Sequence, residues 1–321
     1  MGKRTSKNPK SFRRAYREDY RRETPAPSIM EHTVETFKVI LQNWKLFLPL
    51  LVIAVLLYIA FAGMMNEASY VKLQDAIDQM SGRVSGREIG GIAKAGALLM
   101  AAITSEGLMG GSSQLTLVVG ALVFLIVWLT TIFFLRQRLA GQQIKVRDGL
   151  YNAMAPLLST LVILAIVLAE CVPIFFLMIV YVAAVKTGFL AMPFYALLFL
   201  GFAILMLTLS FYLLSSSLMA LVAVSAPGLY PMEALKAATD LMRNRKMKLV
   251  LRILALMVVL IVLWAVVMLP IIGFDLWMKT FAWTAGIPLV PICLIVMVCF
   301  TEIYVAAYLY LYYRWLLEAE P

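Results

Sequence analysis

Glu170 and Glu302 are acidic residues inside long apolar runs, where an ionisable group is costly to insert. Measured at helical rise, Glu170 lies roughly 21 Å from the start of its run at Pro156, and Glu302 roughly 18 Å from Arg314. Ser215, Ser216 and Ser217 fall at a comparable distance along a third run, so the five residues are expected to form one intramembrane polar cluster. Two chemistries suit such a cluster. Desolvated carboxyls can exchange a proton or cation with a passing solute. They can also accept hydrogen bonds from a neighbouring helix and hold a bundle together. The structural reading is preferred, because no basic residue is expected at that depth to complete a relay. Arg252, near the inner end of its run, is expected to snorkel to the head groups.

Other chemistry finds no residues to carry it. The chain has no G-x-x-x-x-G-K-[ST] loop, no G-x-G-x-x-G, no H-E-x-x-H and no G-x-S-x-G. Cys171, Cys293 and Cys299 lie in apolar runs and read as small buried hydrophobes without zinc spacing. The single histidine, His32, reads as an interfacial polar residue. No catalytic residue, metal or cofactor is expected.

The elements that position the carboxyls follow from composition. Hydrophobic residues make up 63% of the 321-residue chain, far above the roughly 45–50% of a soluble domain. Apolar runs at 46–65, 115–135, 156–185, 192–224, 249–272 and 288–313 each suffice to cross a hydrocarbon core about 30 Å thick. None alternates as a barrel strand would, so the fold class is all-α and polytopic, with six transmembrane helices over 29–321. The long third, fourth and sixth runs call for tilt or kinks, with Pro173 and Pro193 as kink positions.

Lys and Arg set the orientation. They crowd the tail 1–28 and two alternate connections, which carry Arg136, Arg138, Lys145 and Arg147, then Lys236, Arg243, Arg245, Lys246 and Lys248. By the positive-inside rule both termini are cytoplasmic, in a plasma (inner) membrane protein. The net charge of +10 is then mainly topology. All these connection cations except Lys236 are expected to contact anionic lipid head groups. The tail is expected to be disordered and lipid-hugging, with a protein partner as the alternative and nucleic acid as a weaker one. Oligomeric state is not legible.

Pro231 opens a segment in which Ala234, Leu235, Ala238, Leu241 and Met242 share one helical face and Lys236, Asp240 and Arg243 the other. Such a helix should lie on the inner leaflet with its apolar face in the acyl boundary. Before the first run, Val34, Phe37, Ile40, Leu41 and Trp44 repeat the pattern. Before the third, Val146, Leu150, Tyr151 and Met154 do so, with Gly149 interrupting. The chain thus reads as three repeats of an interfacial helix plus a transmembrane hairpin. The extracytoplasmic segment 66–114 reads as a loop, with a re-entrant or surface course as the alternative.

The connection SAPGLYPMEALKAATDLMRNRKMKLVLRIL and the later AAYLYLYYRW resemble the membrane domain of glycerophosphoryl diester phosphodiesterases and related six-span bacterial families. The specific residues are Glu233, Ala234 and Leu235, the basic cluster after them, and Tyr312, Tyr313 and Arg314. The resemblance implies a six-helix membrane domain. It does not carry the phosphodiesterase reaction, which needs paired histidines and acidic metal ligands. The expectation is a non-catalytic component that organises the membrane or assembles a complex. The alternative is a small-solute or ion transporter using the glutamates.

Overall fold

The computed structural model describes residues 27–61, 114–225, 230–242, 245–278 and 289–318. The readings made of residues 1–26, of 66–113 and of Arg243 lie outside the described residues. Among the described residues every regular element is helical. In chain order these are α1 (Ile29–Gln42), α2 (Trp44–Phe61), α3 (Gln114–Leu139), α4 (Val146–Ala153), α5 (Leu157–Glu170), α6 (Val172–Lys186), α7 (Pro193–Ala223), α8 (Pro231–Leu241), α9 (Lys246–Met278) and α10 (Leu289–Glu318). Five spans, with α5–α6 counted as one, are long and apolar enough to cross a membrane. The α1–α2 pair, bent by 89°, makes a sixth if counted as one span. This architecture is compatible with a multi-pass membrane protein.

Local chemistry explains the boundaries. Ser28 and Glu31 close a reciprocal capping box, with Glu31 N–H donating to Ser28 Oγ at 3.2 Å and Ser28 N–H to Glu31 Oε2 at 3.0 Å. α3 ends in a Schellman turn at Gly141, whose φ of +78° suits glycine, with Gln142 N–H donating to the Gln137 carbonyl at 3.0 Å. The third apolar run is not one helix. It breaks at Cys171, because Pro173 has no N–H for the Ala169 carbonyl. Pro193, in contrast, opens α7 in the first turn and kinks nothing.

Two helices form the centre. In their most apolar stretches α3 and α10 are 61% and 56% buried, against 17% for α5–α6, 11% for α7 and 17% for α9. α10 packs on α1, α2, α3, α7 and α9, and the fully buried Ala306 and Ala307 let backbones approach closely there. One hydrophobic cluster joins α1, α2, α3 and α10; another joins α3, α5, α7, α8 and α10. The core pair therefore has two flanks. α7 is divided along its length: Leu214, Met219 and Leu221 are buried, while Phe194, Leu197, Leu200 and Leu205 are exposed.

The three short helices are used differently. α1 buries His32, Thr33, Thr36 and Ile40 and exposes Met30, Val34, Phe37 and Leu41, so Ile40 leaves the apolar face on which the sequence placed it. α8 does the opposite of what its pattern led us to expect. Ala234, Ala238, Leu241 and the following Met242 pack into protein beside α7 and α5, leaving no apolar stripe for the acyl boundary. α4 buries Gly149 against Phe134, where an added Cβ would stand 2.0 Å from the ring. The glycine that interrupts the amphipathic pattern is thus the contact that seats the helix.

Candidate functional site

Glu302 sits on an unbroken stretch of α10 and is 7% exposed. Tyr58 reaches it from α2 and donates its phenolic O–H to Oε2 at 2.9 Å, while Oε1 has no hydrogen-bond partner. One turn-face away, Trp264 Nε1–H of α9 donates to Thr301 Oγ1 at 2.9 Å. The middle of α10 is thereby held from two neighbouring helices by polar contacts in an apolar medium.

Glu170 is the last residue of α5 and is half-buried. The break beside it changes its backbone as well as its surroundings. Ile174 N–H turns to the Cys171 carbonyl at 3.0 Å, and the Glu170 carbonyl instead accepts from Ser210 Oγ of α7 at 2.8 Å. Two turns further along α7, Ser217 Oγ donates to Glu170 Oε1 at 2.8 Å; Oε2 is buried without a partner. The Lys246 ammonium lies 4.3 Å from the centre of the Tyr212 ring and within electrostatic reach of Glu170. A cation does therefore stand near this carboxyl, contrary to the expectation that none would.

Of the serine triplet, only Ser217 meets a carboxyl. Ser215 donates to the Tyr212 carbonyl of its own helix at 2.7 Å, and the buried Ser216 hydroxyl has no partner. The two glutamates have different partners and border different hydrophobic clusters, so each anchors its own polar contact. Comparisons with protein-family models, curated proteins and solved structures find no match.

The cations read as head-group contacts divide as well. Arg138, Lys145, Arg147 and Lys248 are exposed. Arg136 instead donates from Nη1 to the Ser225 carbonyl at 2.9 Å, closing the end of α7, and covers the Phe133 ring at 5.5 Å. Arg245 and Lys246 are half-buried. Arg252 is buried in protein. It is 5% exposed, donates to the Pro27 carbonyl and stacks over Tyr312 at 4.8 Å. The Tyr312 ring of α10 and the Pro27 carbonyl are the partners that hold the guanidinium there.

His32 belongs to the same region. It is 2% exposed, edge-on to Tyr308 at 4.4 Å, with Nε2–H donating to the Tyr308 carbonyl at 3.1 Å. That bond assigns the neutral ring's proton to Nε2. Burial, with the nearby Arg252 charge, pushes the imidazole down to about 4, outweighing the opposing pull of the carbonyl. Tyr304 O–H of α10 donates to the Thr33 carbonyl at 2.9 Å, so α1 is fixed to α10 at two successive positions. Sequence reading missed Tyr58, Ser210 and the Arg252 surroundings. Only Ser210 had a usable signal, a hydroxyl seven residues before Ser217 on the same helical face.

Proposed function

We propose that this protein is a non-catalytic, six-span component of the plasma (inner) membrane, with both termini cytoplasmic, that organises the membrane or assembles a complex there. The observation carrying this reading is that each intramembrane carboxyl accepts a hydrogen bond from a hydroxyl on a neighbouring helix, Tyr58 to Glu302 and Ser217 to Glu170. Both groups thereby tie the bundle together. The six-span count rests on α1 lying along the inner leaflet, which its 89° bend and outward apolar stripe support. Three related units are supported by the element order: short helices α1, α4 and α8 each precede two long apolar segments. The resemblance to the phosphodiesterase membrane domain leads to the same arrangement.

The exposed cations at the inner face are assigned to anionic lipid. A second reading, a small-solute or ion transporter, is favoured by one observation: Glu170 sits at a helix break with a cation nearby, the kind of irregularity that lines transport sites. One experiment separates the two. Glu170→Gln and Glu302→Gln keep an acceptor oxygen and remove ionisation, whereas Leu removes both. Under the assembly reading Gln is tolerated, and Leu lowers the Tm of the detergent-solubilised protein. A well-folded Gln variant that loses a pH-dependent proteoliposome flux displayed by the unmodified protein overturns it. Orientation is checked separately: cysteines at Gln142 and Asn244 should resist an impermeant thiol reagent in intact cells, and cysteines at Ser81 and Thr280 should react.

A further inference from the structure

The circumference of α1 divides into three sectors, and each suits a different medium. Successive residues of a helix are turned by roughly 100°, so Met30, Val34, Phe37 and Leu41 fall within an arc of about 60°. All four are exposed and apolar. The next arc holds Lys38, Glu31, Gln42 and Glu35, in that order away from the apolar one, and all are exposed too. His32, Thr36, Ile40 and Thr33 complete the circle and are buried. The buried sector is bonded to α10, through His32 to the Tyr308 carbonyl and through the Thr33 carbonyl to the Tyr304 hydroxyl. α1 thus has protein on one side and, on the others, one apolar and one aqueous face. α8 divides differently. Its buried sector of Ala234, Ala238 and Leu241 is apolar, and Glu233, Lys236, Thr239 and Asp240 are spread through the exposed remainder with Met232 and Ala237 among them. That helix needs protein and water alone.

The apolar sector of α1 continues past the end of the helix. Trp44, Leu48, Val52 and Leu56 of α2 extend it at steps of three and four residues and are exposed in their turn. One exposed stripe therefore follows the chain round a bend of 89°. A straight partner helix could cover one arm of such a stripe but not both. A bilayer wets both, with α2 along the acyl chains and α1 across their ends. Charge then selects the class of lipid. The exposed charge bordering the apolar arc is Lys38, and Lys45 is exposed just past the bend. Glu31 is folded back on Ser28 in the capping box, and Glu35 lies about 60° farther round than Lys38, towards water. A lysine stem can lie along the apolar arc while its ammonium reaches the phosphates.

We infer that α1 is a binding site for anionic inner-leaflet lipid, with Val34, Phe37 and Leu41 among the acyl chains and Lys38 and Lys45 on the head groups. The site rests on the membrane placement proposed above and names the lipid that this placement engages; it is independent of the role given to the glutamates.

The test uses the full chain in nanodiscs, with Cys171→Ala, Cys293→Ala and Cys299→Ala and a bimane label on Val34→Cys or, in the opposite exposed arc, on Glu35→Cys. Quenching is read with brominated phosphatidylglycerol, with brominated phosphatidylcholine and with aqueous iodide. The Val34 label should be quenched by the brominated chains and spared by iodide, and the Glu35 label should show the reverse. At Val34 phosphatidylglycerol should be preferred about fivefold, and Lys38→Gln with Lys45→Gln should remove the preference. Leu41→Cys, exposed in the same arc, replaces Val34→Cys if that variant does not fold. A Val34 label open to iodide puts the face in water, and one reached by neither quencher puts it under a protein partner or a second copy; either overturns the site. Equal quenching by the two lipids, or a preference that survives the lysine changes, overturns the anionic assignment. Thiol labelling at Gln142 and Thr280 and the Tm of the glutamate variants are indifferent to these results, so the site and the function proposed above fail separately.

Discussion

The two flanks of the α3–α10 core treat the same residue type in opposite ways. On the α1–α2 side, Glu302 is sealed within a continuous helix and held by a phenol whose ring is itself 4% exposed. On the α5–α8 side, Glu170 stands at a helix end, half-buried, with its side chain and its backbone carbonyl each taken by a different serine. Depth in a membrane sets what a carboxyl costs, and by distance along the sequence from the ends of their runs the two were expected to be alike. Backbone continuity sets what the carboxyl is free to do. A glutamate on an unbroken helix can only brace it, whereas one beside a proline break shares its site with loosened peptide groups.

If the α1–α2 flank is the rigid one, the largest loss should come from forcing it apart. Gly149→Val places a branched side chain into the fully buried Phe134 ring and should cost about 3 kcal/mol, read as a fall in Tm. A smaller but distinctive effect is expected from acid. The folded protein holds His32 neutral, with its pKa depressed from 6.5 to about 4, whereas the unfolded chain binds the proton readily. The stabilisation is complete above about pH 6.5 and is lost as pH falls towards 4, by roughly 2 kcal/mol at pH 5. His32→Gln should flatten that slope, and an unaltered slope would remove His32 from the flank's account.

Glu302→Leu should follow at about 1–2 kcal/mol, since it leaves the Tyr58 hydroxyl buried without an acceptor. Ser210→Ala and Ser217→Ala should each cost least, around 0.6 kcal/mol. A serine double variant less stable than Glu302→Leu would invert the comparison and make the broken flank the tighter one.

Much of this fold was legible because the bilayer imposes long, continuous runs. Among the described residues each expected apolar run is helical, the third as two helices, and Pro173 announced the break between them. Depth put Glu170 level with the serine triplet, but it also grouped Glu302 with them, and Tyr58 holds that carboxyl apart. What depth does not encode is azimuth. Ser210 faces Glu170 because the break frees a carbonyl there, and Tyr58 faces Glu302 because α2 leans on α10; neither rotation is written in hydropathy. The apolar stripe of α8 had the same limit. Periodicity tells which residues share a face, but lipid and protein interior are equally apolar, so the stripe alone could not say which it would meet. The burial of Arg252 was missed for a related reason: a cation near a helix end gives no sign in sequence that a Tyr312 ring on α10 will cover it.

The attachment of α1 carries a mechanical consequence. Tyr304 and Tyr308 grip Thr33 and His32 directly, and Arg252 holds the Pro27 carbonyl just before them. A tug on the chain ahead of α1 is therefore delivered to α10 and α9 within the first few described residues and bypasses α2, the helix next in the chain. The chain at Pro27–Thr33 is moored to α10, one of the two central helices, and to α9, so a load applied there would be borne by them before the first span is strained.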